Sequence, residues 1–140
     1  MIVEGCRSVA GTAAFMQIVE KRIGNALLLA VTGRLDHGTA QNFDAALEPY
    51  MKECVSGGTV VVLDLSGLEF LSSTGMRSLL VGQIKARTQK GSFAVAEARR
   101  GVKETFEIAN FSKVIRCYDT VAAALAELSP MAAVSYSQQS

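Results

Sequence analysis

Apolar and polar residues alternate loosely over residues 15–22, and a second apolar run over 26–32 follows at once after Gly24 and Asn25. Two extended stretches separated by so short a turn predict an antiparallel hairpin. From Thr39 the period changes. Phe43, Ala46, Leu47, Tyr50, Met51 and Cys54 recur at helical spacing, with Thr39 or Asp36 available as a cap and Gly57 and Gly58 as a stop. Residues 59–65 form a near-continuous β-branched and apolar run, the pattern of a strand buried on both faces. A helix starting near Thr74 follows, with Met76, Leu79, Leu80, Gln83 and Ile84 facing one way and Lys90 and Gly91 as its stop. Beyond it come a short strand over 93–96, a helix over 102–109 and a short strand over 114–117. Asp119 opens a last helix with Val121, Ala124, Leu125 and Leu128 on one side and Pro130 as its end.

The predicted order is strand, strand, helix, strand, helix, strand, helix, strand, helix. Strands alternating with helices imply an α/β fold with a mostly parallel central sheet and right-handed crossovers. The hairpin adds an antiparallel edge, and there are about four helices in a single domain. Residues 15–127 make up that domain. Residues 1–14 form an N-terminal extension of no clear period, and residues 128–140, rich in Ser, Gln and Ala, read as a loose C-terminal tail.

Charge narrows the function classes. Lys+Arg 14 against Asp+Glu 13 leaves a formal charge of +1, without the basic excess of a nucleic-acid binder. No unbroken apolar run exceeds six residues, as in 26–31, where a membrane span needs about 20. A soluble cytoplasmic protein that contacts neither nucleic acid nor membrane is the expectation. Cys6, Cys54 and Cys117 are widely spaced, and His37 is the single histidine, so no Cys/His metal site is predicted. Cys54 and Cys117 read as buried filler.

In open α/β sheets, ligands and partners meet the carboxyl ends of the strands. Two such ends carry notable residues. The first runs Thr32-Gly33-Arg34-Leu35-Asp36-His37-Gly38-Thr39-Ala40. The second includes Asp64-Leu65-Ser66 and Phe70-Leu71-Ser72-Ser73-Thr74-Gly75-Met76-Arg77. One right-handed crossover between them would bring Asp36 and Ser73 to the same edge. Ser72, Ser73 and Thr74 sit where a loop enters a helix. They fit simple N-capping, and they also fit a modifiable switch, because a helix start tolerates a phosphoryl group. Asp36 fits a cap, or with His37 a solvent-facing polar contact or an acid/base pair; Arg77 fits a solvated helix charge or a ligand contact. Loops of the GxSxG, GxxxxGK[ST] and GxGxxG kinds are missing, so neither a catalytic residue nor a cofactor is expected.

These two segments resemble the motifs of the STAS-domain family, and specifically its anti-sigma factor antagonists, "TGELDHxTA" and "DLSxxxFMDSSGL". The resemblance covers about residues 15–127 and implies the element order deduced above. It also implies a non-enzymatic, phospho-switched regulator of transcription. Its partners would be an anti-sigma factor with serine-kinase activity and a PP2C-type phosphatase. The phosphorylated position of the family matches Ser73, with Thr74 as the alternative. The partner-facing positions fall on Asp36, His37, Ser72, Ser73, Thr74, Gly75, Met76 and Arg77. Ser72 stands where the family usually has an acid. Two rival readings are an unphosphorylated STAS subunit of a larger signalling or lipid-transport complex, and a small α/β enzyme or nucleotide-binding protein using Asp36, His37 and Ser73.

Overall fold

A computed structural model of the chain describes residues 6–7 and 16–139. The strands are β1 (Cys6–Arg7), β2 (Met16–Ile23), β3 (Ala26–Leu35), β4 (Val60–Asp64), β5 (Leu68–Leu71), β6 (Phe93–Ala96) and β7 (Arg116–Tyr118). The helices are α1 (Ala40–Met51), α2 (Ser73–Thr88), α3 (Arg100–Ile108), α4 (Val121–Leu128) and α5 (Pro130–Gln139). They form a single domain around one sheet in the order β1-β2-β3-β4-β6-β7, with β5 paired to the end of β3. β2 and β3 are the predicted antiparallel hairpin, Ile23 facing Ala26 across the two-residue turn. The β3–β4, β4–β6 and β6–β7 pairs are parallel, as the alternation of strands and helices requires. Within the expected N-terminal extension, Cys6 and Arg7 add an outer strand against Val19 and Ile18. The rest of 1–14, and Phe15, lie outside the described residues.

The three central strands are buried on both faces, and residue parity divides them between two cores. Leu27, Leu29, Val31, Val61, Leu63 and Val95 point into the larger core, with Phe43 and Leu47 of α1, Leu79 of α2 and Phe106 of α3. Ala26, Leu28, Val60, Val62 and Ala96 point the other way, against Val121, Ala124 and Leu125 of α4 and Ala132 of α5. A continuous apolar run is what a strand needs when both of its faces are covered. Cys54 is buried as expected, its thiol 3.2 Å from the Ser92 carbonyl. Cys117, also expected to be filler, is exposed, because β7 is a short strand at the edge of the sheet.

The C-terminus corrects the sequence reading. The stretch expected to be a loose tail contains a fifth helix, α5, where about four helices were counted. Pro130 starts this helix: proline is favoured at the first helical position, where its missing N–H costs nothing. Ala132 is fully buried, its backbone lying 3.6 Å from the position a side chain on Gly24 would take. Ser129 is buried and hydrogen-bonds Asn25 of the hairpin turn. The apolar positions in α5 are too sparse for a stripe to stand out in the sequence, and small residues make the contact.

Ending the chain after Ser129 removes the packing of Ala132, Ala133 and Tyr136 on the smaller core. Stability should therefore fall by about 1–3 kcal/mol, the worth of the apolar surface these residues cover. Denaturant melts of the full and shortened chains would measure it. Coincident melts would restore the loose tail.

Candidate functional site

The two motif segments meet at the carboxyl end of β3. β4 runs beside β3 only as far as the pair Ala30 and Asp64. After a short loop the chain runs on in the same direction as β5, parallel to the last residues of β3, with Arg34 opposite Phe70 and Leu35 opposite Leu71. The register shifts between Gly33 and Arg34. Gly33 has φ +95°, a conformation that favours glycine, and its N–H donates to the Gly67 carbonyl at 3.0 Å. Where β5 ends, the Ser72 N–H donates to the Leu35 carbonyl at 3.0 Å. The loop entered by Asp36 and the helix entered by Ser73 thus leave the sheet side by side. Sequence reading missed β5 because its four residues pair with β3, a strand distant in sequence, so no local period marks it.

Each hydroxyl of the Ser-Ser-Thr run has its own place. Ser72 is the N-cap of α2, and its Oγ accepts from the Gly75 N–H at 3.1 Å. Ser73 is the first residue of the helix; its side chain is exposed, and its hydroxyl has no hydrogen-bond partner among the described residues. Thr74 is half-buried and lines a cleft. Gly75 is buried where α2 presses on β3. A Cβ there would stand 2.5 Å from the Leu35 carbonyl oxygen and 2.9 Å from Leu35 Cγ, so only glycine lets the helix start this close.

The β3–α1 loop is tied by its own side chains. Asp36 Oδ1 accepts from the N–H groups of Gly38 at 2.9 Å and Thr39 at 3.2 Å, while Oδ2 lies 3.6 Å from Arg34 Nε. The Thr39 hydroxyl is buried; it donates to the Arg34 carbonyl at 2.8 Å and accepts from the Asp36 N–H at 3.0 Å. Asp36 therefore ties the loop ahead of α1 with its side chain, while Thr39, the N-cap of α1, makes no side-chain capping bond to the first turn. Arg34 in turn lies 4.3 Å from the centroid of the Phe70 ring, a cation–π contact across the β3–β5 pair.

A cleft of about 390 Å³ opens beside Ser73, lined by His37, Gln41 and Asp44 on the α1 side and by Thr74, Arg77 and Val81 of α2. The structure thus collects His37, Ser73, Thr74 and Arg77 on one surface. Asp36 and Ser72 shape it from beneath, Gly75 is buried and Met76 packs against the core. The orientation of α2 differs from the sequence reading. Its buried side consists of Gly75, Ser78, Leu79, Gly82 and Ala86, and Ile84, expected to face inward, is 53% exposed. A stripe of small residues lets the helix approach the sheet closely: a Cβ on Gly82 would stand 3.2 Å from the Phe93 ring. Val81, 46% exposed, accompanies Ile84 on the outer face. Sequence reading missed Val81, Gln41 and Asp44. The small-residue stripe was the one available signal, since it fixes which side of α2 faces in.

Among the described residues no helix is long and apolar enough to cross a membrane. The chain is thus a small open-sheet α/β domain whose two strand-end loops share one exposed surface. The chain belongs to the STAS domain family, whose model matches residues 17–124. It is 28% identical over 118 residues to the anti-sigma F factor antagonist of Paenibacillus polymyxa, spanning 81% of this chain and 95% of that protein. The fold resembles the crystal structure of an anti-sigma factor antagonist from Mycobacterium paratuberculosis, with TM-score 0.72, 23% identity, and coverage of 81% of this chain and 93% of the other. It also resembles the Bacillus cell fate determinant SpoIIAA in its phosphorylated form, with TM-score 0.58, 13% identity, and coverage of 79% and 97%.

The division of labour among the hydroxyls predicts distinct costs. Ser72→Ala should lose about 1 kcal/mol of stability as a cap is removed. Ser73→Ala should change it by less than about 0.5 kcal/mol. Gly75→Ala should cost about 1–3 kcal/mol through overpacking against Leu35. Urea melts of the three variants would check the order.

Proposed function

We propose that the chain is an anti-sigma factor antagonist: it binds an anti-sigma factor that is also a serine kinase, and phosphorylation at Ser73 switches it off. The observation that carries this reading is the exposed, unengaged hydroxyl of Ser73 beside a serine that already caps the helix. Modification of Ser73 leaves the cap in place. The named relatives support the same reading, and SpoIIAA is a protein of this fold described in a phosphorylated form.

In the proposed reaction the partner supplies ATP. The Ser73 oxygen bonds to the γ-phosphorus, the bond to ADP breaks, and the serine proton leaves to a base on the kinase. A PP2C-type phosphatase would return serine and inorganic phosphate by hydrolysis. This chain contributes a substrate and a docking surface, and no catalytic group or cofactor. Ser72 replaces the family's usual acid without loss of the cap, since Ser and Asp are both favoured there.

Val81 and Ile84 give the outer face of α2 an apolar stretch suited to contact with a partner. A phosphoryl group on Ser73 adds roughly −1.5 to −2 charges at pH 7. Closing a partner over that charge removes water from it, at a cost of at least about 1–3 kcal/mol.

Ser73→Ala should therefore bind the anti-sigma factor as the unmodified chain does and resist phosphorylation, while authentic Ser73 phosphoprotein binds more weakly by that amount. Calorimetry with the kinase recovered from the native cell, and mapping of the phosphate, provide the test; a phosphate on neither Ser73 nor Thr74 would sink the assignment. Asp36 should support the switch through its loop. Asp36→Asn keeps an oxygen for the Gly38 and Thr39 N–H groups and should alter stability by less than about 1 kcal/mol, while phosphorylation slows. If phosphorylation and binding are both unchanged in this variant, Asp36 is a tie within its loop and nothing more.

A further inference from the structure

Ser73 and Arg77 stand four residues apart on α2, and both are exposed. Side chains at that spacing lie one above the other on a helix, about 5–6 Å apart at Cβ. Arg77 makes no ion pair and no side-chain hydrogen bond among the described residues. The nearby Arg34 is differently placed, being shared between the Asp36 carboxylate and the Phe70 ring. Arg77 is thus an unengaged guanidinium within reach of the Ser73 oxygen.

Resting on the reading of Ser73 as the switch residue, we infer that Arg77 is the in-chain receptor for its phosphate. A guanidinium presents paired N–H donors that match two phosphate oxygens, which an ammonium cannot do. Capture would change the docking face in two ways at once. The phosphate adds negative charge, and the guanidinium that lines the cleft with His37 and Thr74 turns to the phosphate and is withdrawn from a partner. Arg77 is a positioning residue here, and the switch becomes a rearrangement of charge within α2 as well as an addition of it.

The sign of the effect on the phosphate follows directly. A cation favours the dianion over the monoanion, so Arg77 lowers the second pKa, ordinarily about 6 for phosphoserine. The other charged groups around the site are Asp36 and Arg34 on the β3 side and His37 and Asp44 on the cleft wall. They are common to the parent protein and its Arg77 variants and cancel in the difference.

Full-length protein with phosphoserine installed at position 73 during synthesis can be titrated by phosphorus NMR. The second pKa should rise by about 0.15–0.4 in pH in Arg77→Gln, the worth of an exposed pair at this spacing. Arg77→Lys should recover part of the difference, and about 0.5 M salt should shrink it. Identical titrations for the parent phosphoprotein and its Arg77→Gln variant at low salt would overturn the inference. Installing the phosphate this way needs no kinase, so the test is independent of the proposed function. A chain that no kinase modifies would defeat that function and leave the capture standing, while equal titrations would defeat the capture alone.

Discussion

The hydrogen bond from the Ser72 N–H to the Leu35 carbonyl joins two loops that are far apart in sequence. It exists because β4 gives way to β5 at the bulge beside Gly33, so that the end of β3 has a parallel neighbour up to its last residue. Gly75 then allows α2 to begin against Leu35. Without the β3–β5 pairing, the Asp36 loop and the start of α2 would each leave the sheet independently. With it, a surface made from both becomes a fixed property of the fold.

That constraint also explains how the polar groups are shared out. Ser72, Asp36 and Thr39 are spent on backbone N–H and C=O groups that the two loops would otherwise leave unpaired. Their work frees Ser73, His37 and Arg77 to stay at the surface. A site of this kind has a tied lower layer and an upper layer with few obligations, which suits the proposed role of a partner-facing, modifiable surface. Surface loops held by a rigid scaffold are where binding residues collect.

The two sides of the sheet are covered differently. α1, α2 and α3 connect successive parallel strands and enclose the larger core, while α4 and α5 enclose the smaller one. The proposed site lies at the strand ends near α1 and α2. α5 closes the opposite face through small residues and through Ser129 at the hairpin turn, so the C-terminal stretch belongs to the body of the domain.

The α/β class, the hairpin, the mostly parallel sheet and the buried central strands were legible in the sequence, because each rests on a local period that repeats over enough residues to be read. Residues 93–96 are a strand in both readings, and Val121, Ala124 and Leu125 form the predicted stripe. The motif residues around Asp36 and Ser73 were legible too, as residue types at the ends of strands. The remaining features depend on contacts between segments distant in sequence. β5 is held by its pairing with β3, and α5 by its packing on α4 and the hairpin. Ile84 faces out because small residues, which carry little hydrophobic signal, form the close-packed side of α2. Among three adjacent hydroxyls, local sequence offers the same capping chemistry to each. Only the direction in which the helix leaves the sheet assigns the cap to Ser72 and leaves Ser73 exposed.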